Sequence, residues 1–167
     1  MEKKLQAIKL LGVTVHKLTI PGQIEHICDS IYNSKHRIFA NHNLHSIYLY
    51  HHDEKMRSFY DISDYINIDG MSLVLVGRLL GHSLTRDNRM TCIDWMPSVL
   101  TKAEQEGWRI FYLGSKPGIA EQGTEVLKSK YSKLQITTSQ GYFDADTQSD
   151  ENRQIVARIN AYRPHIL

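Results

Sequence analysis

The chain has 167 residues, of which 41% are apolar and 23% are charged, as in a folded globular domain and unlike disordered or fibrous chains. Its formal charge of +2 at pH 7 gives no indication of a nucleic-acid partner, although it allows an anionic ligand. Cys28 and Cys92 lack CxxC spacing, so the sequence predicts no disulfide framework and no zinc knuckle. We therefore expect one domain, residues 1–167, in the cytoplasm.

The first half of the chain alternates strand and helix patterns. The β-branched stretch 10–20 predicts a strand or hairpin, and 21–34 has Ile24, Ile27 and Ile31 at helical spacing. A short strand at 37–41 precedes a helical stretch at 44–62. The strand YINID (65–69) precedes a helix at 70–81 that is apolar enough to be buried.

The second half continues the alternation. A helix at 94–107 tolerates Pro97 only if the helix begins near Asp94. The strand 108–115 feeds a helix at 116–131, whose Ile119 and Val126 are expected to pack into the core. A strand at 134–143, a helix at 149–162 and the start of a strand at 165–167 follow. The sequence thus predicts an α/β, Rossmann-like fold with a mostly parallel sheet, flanking helices and ligands beyond the carboxyl ends of the strands.

One carboxylate stands between a predicted strand and a predicted helix. Asp69 is the only charged residue between Tyr65 and Arg78. An aspartate at such a junction is a favourable N-cap for the helix that follows. A carboxylate at the end of a strand, beside the flexible Gly70, also has the properties of a general base. Both interpretations stay open at this point.

A glycine-containing turn, YLGSKPG (112–118), connects the clearest strand to its helix. Gly114 and Gly118 flank the turn, and Pro117 fits a first helical position, so free N–H groups could face an anion such as a diphosphate. Glycines that only turn the chain explain the same pattern. The turn is neither GxGxxG nor a P-loop, which counts against dinucleotide cofactors and P-loop phosphoryl transfer.

Several histidines fall close together in the sequence and raise the question of a metal site. No carboxylate or cysteine stands at metal-ligand spacing beside them, and HExxH is absent. We therefore favour a surface helix and expect no metal. The four histidines are His42, His45, His51 and His52.

Six stretches, taken in order, resemble a known bacterial family. They are FANHNLHSIYLYHHDEKMR, YINIDGMSLVLVGRLLG, TRDNRMTCIDWMPSVL, RIFYLGSKPGIAEQ, ITTSQGYF and INAYRPHIL. Together they are similar to the WecG/TagA/CpsF glycosyltransferases from about residue 10 to the last residue. The resemblance implies inverting transfer of a sugar, often of the N-acetylmannosamine type, from a UDP-sugar to a lipid-diphosphate-linked acceptor sugar. It also implies that the transfer takes place at the inner face of the cytoplasmic membrane and needs no cofactor and no metal.

The family's functional positions transfer to this chain residue by residue. Its DG motif falls on Asp69 and Gly70, which makes Asp69 the expected base. Its R-x-x-G-x-D pattern falls on Arg89 and Asp94, with Cys92 in place of the glycine. The expected substrate-binding residues are Asn41 (where many members have threonine), Asn43, Gly70, Arg89, Gly114, Lys116, Gly118, Gly141 and Tyr142.

The resemblance differs at the end, where family members usually continue into a P-x-Q-E motif and a further segment. Either this sequence is a fragment of a longer protein or it is a shortened homologue. In both cases we expect an incompletely covered sheet edge that is prone to self-association. An inactive truncated homologue or a non-catalytic nucleotide-sugar-binding module is the alternative. A phosphatase-like hydrolase is disfavoured because Met71 stands where its second acid would be.

Overall fold

The computed structural model describes residues 5–167, which form two compact units with a boundary between Met96 and Pro97. Helices alternate with short strands in both units. The long-range pairings, β3 with β4 and β5 with β6, are parallel. This arrangement confirms the predicted α/β, Rossmann-like class, although each of these sheets has two strands.

The N-terminal unit begins with a hairpin. Strands β1 (Ala7–Leu10) and β2 (Val13–His16) pair antiparallel, with Ala7 opposite His16. Leu11 and Gly12 form the turn with φ angles of 50° and 85°. Two successive positive φ angles are typical of the type I′ turn that matches the twist of paired strands. The predicted strand or hairpin is thus a hairpin.

A parallel strand pair forms the second sheet of this unit. Strand β3 (Phe39–His42) lies beside β4 (Tyr65–Ile68), with Asn41 opposite Asn67. The surrounding helices are α1 (Ile20–Tyr32), α2 (Leu44–His52), α3 (Glu54–Asp61), α4 (Met71–Leu79) and the start of α5 (Cys92–Glu106). The apolar core comprises Ile8, Leu10, Val13, Val15, Ala40, Ile47, Tyr60, Ile66, Ile68, Leu73, Val74 and Leu84.

The C-terminal unit repeats the strand–helix alternation. Strand β5 (Arg109–Leu113) pairs in parallel with β6 (Gln135–Ser139). Helices α6 (Ile119–Lys130) and α7 (Asp150–Tyr162) follow the two strands. Ile166 makes a parallel bridge to Ile110, as expected for a strand that begins at 165–167. Within residues 5–167, no helix is both long and apolar enough to cross a bilayer.

Side-chain capping changes two of the predicted helices. The helical stretch 44–62 is broken at Asp53, whose carboxylate accepts N–H bonds from Lys55 and Met56 and thereby starts α3. Helix α5 begins at Cys92, two residues before the predicted start at Asp94. The Asp94 carboxylate, in the first turn, accepts a hydrogen bond from the Thr91 N–H that precedes the helix. Pro97 therefore lies inside α5, and the prediction that it stands in the first turn is wrong.

Three predictions of burial are wrong in part. Helix α4 buries Leu73 and Val74 but leaves Leu75 half exposed, so only one of its faces packs on the core. In α6, Ile119 and Val126 are exposed, and Ala120 and Thr124 face inward instead. His42 does not belong to a surface helix: it ends strand β3 and is fully buried. The other three histidines, His45, His51 and His52, are exposed on α2.

Candidate functional site

The Asp69 carboxylate lies immediately after β4 and is held by the neighbouring strand. Asn41 Nδ2 donates a hydrogen bond to Asp69 Oδ2 at 3.0 Å. The Asp69 backbone N–H donates to the carbonyl oxygen of His42 at 2.8 Å. Both contacts follow from the parallel register of β3 with β4, which brings two strand ends to one edge. The Asp69 Oδ2 atom is thus held in place by the Asn41 side chain.

Asp69 does not cap the helix that follows it. The N-cap of α4 is Gly70, with a φ of 118°, and no side chain accepts a hydrogen bond from the first turn. A φ of that size strains any residue with a side chain, so the backbone here favours glycine. The N-cap interpretation of Asp69 is therefore wrong. Among the described residues, its Oδ1 has no hydrogen-bond partner.

Asn43 begins helix α2 through a capping box. Its Oδ1 accepts from the Ser46 N–H at 2.9 Å, and Ser46 Oγ accepts from the Asn43 N–H at 2.9 Å. Reciprocal bonds of this kind hold the side chain in one orientation. Within residues 5–167, the Nδ2 group of Asn43 makes no hydrogen bond, so its two N–H donors are unused.

His42 is a neutral, buried histidine held by Ser46. Its Nδ1 is hydrogen-bonded to Ser46 Oγ at 3.0 Å, and the same Oγ lies 3.0 Å from the Asn43 carbonyl oxygen. Within residues 5–167, the buried Nε2 has no hydrogen-bond partner. Burial, and then the charge on His51, lowers the pKa of His42 to about 4. The His42 ring stacks on the Tyr60 ring, with 3.8 Å between the ring centroids.

We expect His42 to make folding stability depend on pH. Its pKa falls from 6.5 in the unfolded chain to about 4 in the folded one, so the unfolded chain binds the proton more tightly. The stability that neutral His42 contributes is complete above pH 6.5 and is lost as the pH falls toward 4. The free energy of unfolding should drop by about 2–3 kcal/mol from this group. Denaturant titration at several pH values measures it.

The variant His42→Asn isolates this effect from that of the carboxylates. The asparagine amide can hydrogen-bond Ser46 but cannot gain a proton in this pH range, so the stability of the variant should fall less steeply between pH 6.5 and 4. His45→Asn, at an exposed position of α2, is the matched control and should follow the native chain. Equal slopes for all three proteins would show that His42 titrates normally.

Arg89 lies beside the end of β4 and forms an ion pair. Its Nη2 is 3.0 Å from Asp94 Oδ2, and Ile68 makes a parallel bridge to Arg89. Hydrogen bonds from Thr91, followed by the charge of Arg89, lower the pKa of Asp94. The structural ion pair that competes with a substrate role is therefore present. Arg89 and Asp94 line a cleft of about 620 Å³ together with Arg86 and Asp87.

The glycine-containing turn of the C-terminal unit is held by a second loop. The Gly114 N–H donates to the Ser139 carbonyl oxygen at 3.1 Å, and the Gly141 N–H donates to the Ser115 carbonyl oxygen at 3.0 Å. A Cβ on Gly141 would lie 2.7 Å from Gly114 Cα, so the two backbones touch. The carboxyl ends of β5 and β6 thus form one cradle.

The remaining predicted residues of this turn are exposed. Gly118 is the N-cap of α6 with a left-handed φ of 82°, and Pro117 precedes it, outside the predicted first helical position. Lys116 is exposed, and Tyr142 is 68% exposed. The structure therefore brings Gly114 and Gly141 into contact and leaves Lys116 and Tyr142 accessible.

Sequence reasoning missed Arg158, which faces the same cradle from α7. Its guanidinium donates to Ser139 Oγ at 3.1 Å and to the Thr138 carbonyl at 3.0 Å. It lines a cleft of about 470 Å³ together with Gly118 and Glu121. No spacing in the sequence relates Arg158 to the end of β6, because the contact spans a loop and a helix.

Two groups of predicted residues therefore stand in two units. Asn41, Asn43, Asp69 and Arg89 belong to the N-terminal unit, and the glycine cradle belongs to the C-terminal unit. The convergence of Asp69, Asn43 and Gly114 at one sheet edge stays a prediction.

Comparison with known proteins identifies the family. The model of the Glycosyl transferase WecG/TagA/CpsF family matches residues 8–167. The chain belongs to this family.

A curated relative agrees with the assignment over part of its length. It is the N-acetylglucosaminyldiphosphoundecaprenol N-acetyl-beta-D-mannosaminyltransferase of Bacillus spizizenii, 28% identical to this chain over 105 residues. The match covers 63% of this chain and 38% of the relative. In this WecG/TagA/CpsF chain, residues 5–167 contain no group of three His, Cys, Asp or Glu that could hold a metal ion.

Cys92 provides a chemical probe of the Asp69 carboxylate. Partial burial, and then the negative charge of Asp69, raises the pKa of the Cys92 thiol. Removal of that charge in Asp69→Asn should lower the thiol pKa and speed its alkylation at pH 8. For a partly exposed pair we expect about a 1.5- to 5-fold increase. Peptide mass spectrometry measures the rate, with Cys28 as the internal reference, and an unchanged rate at Cys92 would contradict the proximity.

Proposed function

We propose that this chain is an inverting glycosyltransferase of bacterial cell-surface polysaccharide synthesis. The donor is a UDP-sugar of the N-acetylmannosamine type, and the acceptor is a sugar linked through a diphosphate to a lipid. The family match supports the reaction class. The observation that carries the mechanism is the Asp69 carboxylate, which Asn41 fixes through one oxygen and which does not cap α4.

Asp69 acts as the general base. The acceptor hydroxyl oxygen attacks the anomeric carbon while the bond from that carbon to the UDP oxygen breaks, which inverts the anomeric centre. The hydroxyl proton passes to Asp69 Oδ1, and the electron pair of the broken bond leaves with UDP. A positioned base of this kind contributes about 100- to 10,000-fold to the rate. The hydrogen bond from Asn41 directs Oδ2 toward β3, so Oδ1 is the oxygen that takes the proton.

Asn41, Asn43 and Gly70 bind the sugars. Asn43 presents its Nδ2 donors to a hydroxyl because the capping box uses only its Oδ1. Asn41 has its carbonyl oxygen Oδ1 for a second hydroxyl, since its Nδ2 serves Asp69. Gly70 has no side chain, so a sugar can approach the backbone beside the base.

The leaving diphosphate is stabilised by N–H groups and cations. The N–H groups at the start of α6 and the ammonium group of Lys116 meet the developing charge at the cradle of Gly114, Gly118 and Gly141. Tyr142 offers an exposed ring on which uracil can stack. Arg89, in the N-terminal unit, binds an anionic group of the substrate, while its Nη2 keeps the ion pair with Asp94.

We further propose that residues 1–167 act as one catalytic domain on the cytoplasmic face of the membrane. The acceptor supplies the membrane contact because its lipid remains in the bilayer during transfer.

A transfer assay with the purified chain tests this function. UDP-N-acetylmannosamine and an N-acetylglucosaminyl-diphosphate acceptor on a shortened lipid are incubated with the chain, and the product is analysed by mass spectrometry and by NMR of the anomeric proton. We expect one added sugar with inverted configuration. UDP binding without any product would instead support a non-catalytic nucleotide-sugar-binding module. Absence of both would contradict the proposal.

A further inference from the structure

We propose that His42 and Tyr60 are a buried pair of positioning residues for the site. Together they fix the backbone of Asn41, His42 and Asn43, and through it the carboxylate of Asp69. The inference rests on the proposed function for its catalytic consequence, but the positioning itself is tested without transfer.

Tyr60 fixes the first residue of this segment. Its hydroxyl, at the end of a ring that is 7% exposed, donates to the Asn41 carbonyl at 2.8 Å. The side chain of the same Asn41 donates to Asp69 Oδ2 at 3.0 Å. A change in the Asn41 backbone therefore moves the group that holds the proposed base.

His42 fixes the next two residues. Its ring lies flat against Tyr60, with 23° between the ring planes, and its Nδ1 is hydrogen-bonded to Ser46 Oγ. Ser46 closes the capping box of Asn43, and the His42 carbonyl accepts the Asp69 N–H at 2.8 Å. His42 thus reaches Asn43 through its imidazole and Ser46, and it reaches Asp69 through its backbone carbonyl. Its side chain touches neither substrate nor reacting atoms in the proposed mechanism.

The aromatic cluster also contains a natural control. Tyr50 packs edge-on against both His42 and Tyr60, with ring centroids 6.0 and 6.1 Å away. Its hydroxyl, however, is directed to Asp61 at 3.4 Å and makes no bond to the Asn41–Asn43 segment. Tyr50→Phe and Tyr60→Phe therefore each remove a hydroxyl group from the same cluster, but only Tyr60→Phe removes a hydrogen bond to Asn41.

The decisive experiment compares these two variants in the full chain. In Tyr60→Phe we expect hydrogen exchange at the Asp69 backbone amide to be at least about tenfold faster, and the Asn41 side-chain amide resonances to shift. Tyr50→Phe should leave both unchanged. In the transfer assay, Tyr60→Phe should lower kcat by about 10- to 100-fold with the donor KM within about twofold, because a displaced base affects only the chemical step.

A merely structural role for Tyr60 would give a different result. In that case kcat and KM would change together, and amide exchange would become faster by a similar factor throughout the N-terminal unit and not selectively at Asp69. Equal exchange at Asp69 in both variants would overturn the proposal. If the native chain transfers no sugar, the proposed function fails, and the exchange and resonance data still decide whether Tyr60 positions Asn41 and Asp69.

Discussion

The variant Asp69→Asn should lose sugar transfer by about 100- to 10,000-fold while the fold and nucleotide binding remain intact. An asparagine has the same shape, and its Oδ1 can still accept the hydrogen bond from Asn41 that the carboxylate accepts at 3.0 Å. What it lacks is the ability to take a proton from the acceptor hydroxyl. The initial rate of transfer and the UDP dissociation constant are measured on one preparation.

Thermal unfolding of the same preparation separates a base from a structural residue. Because Asp69 caps no helix, its replacement should leave the melting temperature nearly unchanged. The matched control is Asp150→Asn, an exposed aspartate in the first turn of α7, which should transfer sugar at the native rate. Transfer retained in Asp69→Asn would remove this residue from the mechanism, and a parallel loss of stability would restore a structural role.

The second large effect is expected from Gly141→Ala. The added Cβ would lie 2.7 Å from Gly114 Cα and 3.2 Å from its carbonyl carbon, and backbone atoms cannot rotate away. Overpacking of this kind costs about 1–3 kcal/mol of stability. If the cradle opens to relieve the strain, UDP binding weakens about tenfold for each 1.4 kcal/mol needed to close it again. Denaturant unfolding and UDP calorimetry measure the two effects.

Gly123→Ala is the matched control for this variant. Gly123 lies within α6, and an added Cβ there meets no atom within 4 Å. Alanine is favoured over glycine inside a helix by about 1 kcal/mol, so this variant should be slightly more stable and bind UDP normally. Normal UDP affinity in Gly141→Ala would mean that the contact with Gly114 has no part in nucleotide binding.

The sequence predicted the order of the elements because each one has a local pattern. The β-branched residues around β2 and the alternation of strands with helices are properties of short windows, and both appear in the structure. Hydrophobic periodicity does not show which side chains cap a helix, so it could not predict the caps made by Asp53 and Asp94. For that reason one predicted helix became two, and Pro97 lies inside α5.

The candidate site was predicted by residue type but not by its contacts. Asp69 and Asn43 were selected for standing after predicted strands. The hydrogen bond from Asn41 to Asp69 depends on the register of β3 with β4, and the burial of His42 depends on the packing of Tyr60. Register and packing join residues distant in sequence, so no single stretch contains the information.

Helix α4 starts at Gly70 without any side chain that satisfies its first N–H groups. A cap typically adds about 1 kcal/mol, so a library selected for thermostability alone has no reason to retain aspartate at position 69. A library selected for polysaccharide synthesis should retain aspartate at position 69 and few other residues. Two selections applied to the same set of variants should therefore disagree at Asp69 and agree at Gly141, where strain harms both properties. Positions at which the two selections disagree would then reveal catalytic residues in such chains without a bound substrate.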